Sequence, residues 1–296
     1  MAKPRELRRR IRSVENTRKI TRTMEMVATS KLKRAQDRVV AARPYAQALA
    51  DVLADLYAPE LAERFPLLRQ PGRGANRRVA LVLITSNRGL CGAFNANLIR
   101  EARHRLAALE EQGIAVDLHL VGRKGAAFFR FAGRAAASQR IDIGDRPTPA
   151  HAAEVIAPLA AQFEAGALGA VEVVFAQFKS SVSTPPTTLR ILPVTPPPAV
   201  GAGRSRSGAV ANYILRPSAQ AILERLLPLY VENQVYRALV ETAAAEHGAR
   251  RTAMKNATDN AGDMLDLLRR TLNRARQAQI TQEISEIVGG AEALAG

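Results

Sequence analysis

The sequence predicts an α/β domain mounted on two long helices, its central open, mainly parallel sheet flanked by shorter helices. Three observations carry this. Apolar residues near the start recur at alternating spacings of four and three, the last third repeats the pattern, and between them short β-rich runs alternate with helix-like stretches.

The first seam is Leu7, Ile11, Val14, Ala28, Leu32, Ala35, Val39, Ala42, Ala46, Leu49, Leu53 and Leu56. The intervening seam positions, Arg18, Thr21 and Glu25, are polar. There the face is expected to turn toward something other than an apolar partner helix, while Ile20, Met24 and Val27 offer a shifted apolar face. A helix from about Lys3 to Tyr57 would be roughly 80 Å long at ~1.5 Å per residue. Pro44 is expected to bend it or mark a join.

Strands are expected at "RVALVLITS", "AVDLHLVG", "AVEVVFAQF" and "TTLRILPV", with helices near 94–112, at "KGAAFFRFAG" and near 150–165. A Pro-, Gly- and Ser-rich stretch follows and reads as a flexible excursion. In the last third, "SAQAILERLL" forms one helical piece and Pro228 can begin another. Its seam runs through Val235, Leu239, Ala257, Ala261, Met264, Leu268, Leu272 and Ala275 to Val288, and Gly289 and Gly290 are expected to end it. The division is then 1–58, 77–195, 196–212 and 213–290. The long helices match each other, because small residues at Ala28, Ala35, Ala42, Ala257, Ala261 and Gly262 would let their backbones approach closely.

Composition narrows the function. The chain has 296 residues and 47% apolar residues, enough for a sizeable core. Its net charge of +16 points to an anionic partner: nucleic acid, a phospholipid surface or an acidic protein. Residues 1–45 hold 14 Lys and Arg against 4 Asp and Glu, so 14 − 4 = +10 lies on the first helix. That density suits phosphate contacts along a duplex or a solvated helix face, and it lacks the aromatics of a single-strand binder. One cysteine, Cys91, leaves no disulfide framework and no zinc spacing. No run of about 18 uncharged apolar residues is present to span a bilayer.

The stretch "ITSNRGLCGAF" sits where many nucleotide-binding proteins keep a phosphate cradle, but Gly89 and Gly92 meet neither the G-x-G-x-x-G nor the P-loop spacing. It reads as a tight strand-to-helix turn. His104, His119, His151 and His247 are scattered without ligand spacing, and Cys91 reads as a small buried hydrophobe. No catalytic residue, metal or cofactor is expected.

"ENTRKITRTMEMVATSKLKRAQ", "SNRGLCGAFN", "ENQVYRAL", "RRTAMKNATDNA" and "NRARQAQITQEISEIVGGA" together closely resemble the gamma subunit of bacterial F-type ATP synthase, from end to end. The resemblance implies a rotor shaft, an antiparallel coiled coil of the two terminal helices inside a hexamer of alpha and beta subunits (3:3:1). It also implies an epsilon subunit and a proton-driven ring of c subunits as partners, and a peripheral place on the cytoplasmic face of the inner membrane. Torque then passes between ring and hexamer, and this chain catalyses nothing itself. By the same resemblance, Met24 lies in a contact zone with the hexamer. Arg276 and Gln277 meet a polar loop of a beta subunit, and Arg250, Thr281, Glu283 and Glu286 belong to the same contact zone. Asn87 and Arg216 stand where the family commonly has acidic residues.

Overall fold

The computed structural model describes residues 4–56, 64–69, 78–180, 183–195 and 218–295. The expected excursion at 196–212, Tyr57, Arg216 and the start of the last element at 213–217 lie outside them. Among the described residues the elements are α1 (Pro4–Leu56), a 3-10 turn (Pro66–Leu68), β1 (Arg78–Ile84), α2 (Phe94–Glu111), β2 (Ala115–Val121) and α3 (Arg123–Phe131). They continue with β3 (Ser138–Arg140), α4 (Pro149–Glu164), β4 (Ala170–Ala176), β5 (Pro186–Leu192) and α5 (Ala219–Ala295). Backbone contacts divide the chain into two compact units, Ser30–Ala249 and Met1–Thr29 with Arg250–Gly296.

In the first unit the five strands are ordered β3-β2-β1-β4-β5; β3, β2, β1 and β4 run parallel and β5 antiparallel to β4. The sheet is buried on both faces, which is why β1 reads as a continuous apolar run without alternation. Leu81 and Leu83 face α2 and α3, meeting Leu98, Ala102 and Phe129. Ala80, Val82 and Ile84 face the other way, onto Ile156 of α4 and Val235 and Leu239 of α5. The edge strand β3 was not expected, since "SQR" is polar and has no apolar period. It is held by pairing with β2 and by the 2.7 Å contact between His119 Nδ1 and Ser138 Oγ.

Neither Pro44 nor Pro228 marks a join between helices: each proline lies inside a continuous helix. Burial decides this. Leu223, Leu227 and Val231 are buried on either side of Pro228, and Val39 and Leu49 on either side of Pro44, so packing outweighs a lost backbone hydrogen bond. Gly289 and Gly290 likewise do not end α5. Glycine weakens a helix by about 1 kcal/mol against Ala without forbidding it.

Two acidic side chains tie the elements together. Glu172 of β4, 2% exposed, accepts two 2.6 Å hydrogen bonds from Arg105 of α2 and a 3.0 Å bond from Arg190 of β5. Glu241 of α5 accepts from the Phe178 amide at 3.0 Å just beyond β4, and Thr242 Oγ1 accepts from the Ala176 amide at 3.4 Å. Amides that leave the sheet without a strand partner are thus satisfied by α5.

Burial alone would raise the Glu172 pKa, but the hydrogen bonds from Arg105 and Arg190 outweigh it and the carboxyl sits below its ordinary value. A lowered folded pKa contributes stability above the unfolded value, and that contribution is lost as pH falls through the folded value. Glu172→Gln is therefore expected to cost about 3 kcal/mol near neutral pH, and the gap to wild type should close in acid. Denaturant melts of both proteins at neutral and acidic pH measure this; a gap independent of pH would contradict it.

Candidate functional site

The second unit is a pair of antiparallel helical segments, residues 4–29 of α1 and 250–295 of α5. Their register is set by Thr258 Oγ1 donating to Thr21 Oγ1 at 2.8 Å, with Arg269 pairing to Glu15 at 2.8 Å. The polar gap in the first seam therefore does not turn away from its partner. Thr21 is 8% exposed and meets another threonine, whose hydroxyl satisfies it in place of an apolar contact. A matched polar layer of this kind favours one register, because a slip forfeits the bond between the two hydroxyls and leaves each with only the carbonyl of its own helix, Arg18 for Thr21 and Met254 for Thr258.

On α5 the seam runs Met254, Thr258, Ala261, Leu265, Leu268, Leu272 and Ala275, every one buried or half-buried. Two expected seam residues are corrected. Met264 is exposed and Leu265 takes its place, because counting in fours and threes from the polar Thr258 lands on 265. Val288 is exposed as well, since no described residue of α1 reaches that level. Gly262 faces the side chain of Arg18, and a methyl group there would lie 4.0 Å from the guanidinium, an ordinary contact. The glycine is not required by close backbone approach.

Beyond Ala275, α5 continues without a partner helix among the described residues, and residues 276–291 are all exposed. Arg276, Gln277, Thr281, Glu283 and Glu286 are brought together on this segment. Thr281 donates to the Gln277 carbonyl at 3.0 Å, while Gln279 and Gln282 donate to Glu283 and Glu286 at 2.9 and 2.8 Å. Met24 is half-buried, three residues past Thr21. Arg250 is half-buried and is not with the others: at ~1.5 Å per residue it lies about 39 Å along the helix from Arg276. Arg250 and the residues from Arg276 to Glu286 thus sit at two levels of the helix.

Sequence reasoning missed the apolar side chains on the solitary segment. Ile280, Ile284, Ile287 and Val288 are exposed, with Ile20, Val27 and Leu267 also uncovered beside the paired part. Their signal was present as i, i+4, i+7 spacing, but only the extent of α1 reveals that nothing among the described residues covers them. Arg8, Arg9, Arg12, Lys19 and Arg22 are exposed on α1, so the basic face points to solvent.

In the first unit the glycine-bearing turn proves self-satisfied. Gly92 adopts φ 59°, and Gly122 at φ 99° leaves no room for a side chain, because a Cβ would lie 2.1 Å from the Thr85 carbonyl oxygen. The first amides of α3 are already taken: Arg123 N–H by Asn87 Oδ1 at 2.9 Å, Lys124 N–H by the Ser86 carbonyl at 3.1 Å, and Gly125 N–H by Thr85 Oγ1 at 3.0 Å. The donors that would hold a phosphate on that helix end are spent internally. Asn87 also donates to the Ile141 and Ile143 carbonyls at 3.1 and 2.8 Å. Here Asn does what a carboxylate cannot, since two of its three bonds need a donor. Cys91 is buried, with the Asn95 amide 3.2 Å from its sulfur. His151 serves α4 by accepting from Thr148 N–H at 3.2 Å. Among the described residues no group of three His, Cys, Asp or Glu could hold a metal ion, and no helix is long and apolar enough to cross a membrane.

The family model described as ATP synthase matches residues 3–294. The chain is 64% identical to the ATP synthase gamma chain of Gemmatimonas aurantiaca over the full length of both. This chain belongs to the ATP synthase gamma family. It is also 45% identical to the gamma chain of Desulfitobacterium hafniense, over 99% of this chain and 100% of that one. Among solved structures, the central stalk and c-ring of Tetrahymena thermophila mitochondrial ATP synthase matches with TM-score 0.59 and 26% identity, covering 80% of this chain and 99% of that chain. A chain of Euglena gracilis mitochondrial ATP synthase in rotational state 3 shares the fold, with TM-score 0.66 and 18% identity over 98% and 94%.

Two outcomes test the geometry of this gamma-family chain. Gly262→Ala should raise stability by up to about 1 kcal/mol, because helix propensity improves and the added methyl meets only ordinary contact; a lower melting temperature would show that the backbone does need glycine there. Asn87→Asp should cost about 1–3 kcal/mol by leaving two carbonyls facing a carboxylate, and unchanged denaturant midpoints would refute that account.

Proposed function

We propose that this chain is the central rotor shaft of a bacterial F-type ATP synthase, carrying torque between a proton-driven ring of c subunits and a hexamer of alpha and beta subunits, with an epsilon subunit as a further partner. The observation that carries this reading is the helix pair whose longer member runs on alone, exposing charged and isoleucine-rich faces that nothing among the described residues covers. Membership of the gamma family supplies the setting. A shaft must present different faces to three chemically identical neighbours, and a pair of unequal helices does so. Each catalytic subunit is thereby biased toward a different conformation by differential contacts.

In this reading Arg276, Gln277, Thr281, Glu283 and Glu286 meet the hexamer at the level of the solitary segment, Met24 at the Thr21–Thr258 level and Arg250 at a third. The chain is a non-catalytic subunit, peripheral to the cytoplasmic face of the inner membrane through its complex. Its fold and relatives offer no support for a nucleic-acid-binding role, and the basic face of α1 instead suits acidic segments of the surrounding subunits. Co-purification with alpha and beta subunits in a 3:3:1 ratio tests the assembly directly.

Arg276 provides the sharper test. Its planar fork can hold a carboxylate through two parallel hydrogen bonds, which a Lys ammonium cannot reproduce. Losing one partner of a desolvated charged pair costs on the order of 2 to 5 kcal/mol. In a reconstituted enzyme, Arg276→Ala should lower coupled proton transport more than ATP binding to the hexamer, with Arg276→Lys intermediate. Arg103→Ala, on the exposed face of α2, should change neither. Proton pumping, ATP turnover and subunit retention on the same preparations decide the matter, and wild-type values in all three for Arg276→Ala would remove this contact from the proposal.

A further inference from the structure

Beside the self-satisfied turn, the first unit holds a cavity of about 640 Å³ at the carboxyl ends of β1 and β2, within the range typical of small-molecule sites. Its floor is apolar, formed by Ile84, Val121, Ile143 and Leu239. Thr242, Ala243 and Glu246 of α5 wall one side, and the 142–147 segment the other.

The charges around the mouth are unevenly committed. Asp142 is held by Arg140 through bonds of 2.9 and 2.7 Å, first among the causes that depress its carboxyl to about 2. Asp145 is paired with Lys31, and its carbonyl accepts from Arg38 at 3.2 Å. Burial alone would raise the Asp145 carboxyl, yet it lies below its ordinary value because Lys31, His247 and Arg88 outweigh that cost. Arg123 and Arg146 also line the cavity, and neither guanidinium makes an ion pair or hydrogen bond to a described residue. His151 lines it as well; its Nδ1 accepts from Thr148 N–H, so a neutral ring carries its proton on Nε2 and offers one more donor.

We propose that this cavity binds a small organic phosphate, its apolar body on the floor and its phosphate at the Arg123 and Arg146 rim. A phosphate dianion balances two guanidinium charges with one group, where a carboxylate balances one, and the guanidinium fork suits its oxygens. The site is separate from the Gly89–Phe94 turn, whose neighbouring helix amides are already occupied, and it does not depend on the rotor reading. Because Leu239, Thr242 and Glu246 belong to α5, a bound ligand touches that helix and the 142–147 segment together.

The probe is phenyl phosphate, titrated into the full chain at ~0.15 M salt, where diffuse attraction is screened beyond about 8 Å. Phosphorus NMR and the melting temperature report binding. Saturable binding is expected, at least tenfold tighter than that of inorganic phosphate, with none for phenol. Arg123→Gln combined with Arg146→Gln should weaken it at least tenfold while melting like wild type without ligand, since neither side chain has a partner among the described residues to lose. Arg103→Gln should leave it unchanged. The proposal is overturned if phenyl phosphate shows no saturable effect, if the double variant binds like wild type, or if sulfate or Arg103→Gln reveals a response to net charge alone.

Discussion

The structure depends on one stretch of α5, residues 235–249, which has to be buried on nearly every side. Val235 and Leu239 pack under the sheet, Ala245 joins the cluster of Leu81, Leu83 and Phe94 on its other face, Val240 and Ala244 pack with Ala35 and Val39 of α1, and Glu241 and Thr242 take backbone amides at and just beyond the end of β4. Each demand restricts the sequence differently. Helix contact favours alanine, sheet contact favours branched aliphatics, and the two amides need acceptors at a fixed height. A helix meeting all three cannot slide or rotate without exposing apolar area or orphaning an amide, so the sheet is fastened to α5 by chemistry as well as by contact.

The second unit solves a different problem. Its helix pair has only a narrow seam, and one level of that seam is polar. The Thr21–Thr258 hydrogen bond satisfies the level, while Glu15–Arg269 adds an exposed pair worth little in stability. Each hydroxyl also has a carbonyl of its own helix within reach, Arg18 for Thr21 and Met254 for Thr258, so the interhelical bond adds to a register that the apolar seam residues Met254, Ala261 and Leu265 share. Past Ala275 that constraint ends, and the exposed isoleucines of α5 become surface for another molecule to cover, as a shaft within a sleeve requires.

Much of this was legible in the chain itself. Heptad spacing identifies both long helices, apolar runs identify β1 and, interrupted only by Glu172, β4, and wrong glycine spacing excludes a phosphate cradle at the turn, all because periodicity and backbone geometry are local properties. The terminal motifs, long and in order, carry the family. The residues proposed to meet partners were legible as positions on a helix, but the separation of Arg250 from Arg276 was not. Arg250 and Arg276 share an element, and nothing in their local sequence records how far the partner helix extends.

What the sequence by itself determined is therefore every helix and strand but β3, their order, the basic face and the family. Only the tertiary structure decided that Pro44 and Pro228 stay within their helices, that Leu265 and not Met264 fills the seam, that "SQR" becomes an edge strand, and that Arg123 and Arg146 flank a cavity. Local preferences at these positions are worth a few kcal/mol at most, and burial of neighbours distant in sequence is worth as much or more. The choice at each of these positions consequently falls to contacts that form only when the chain is folded.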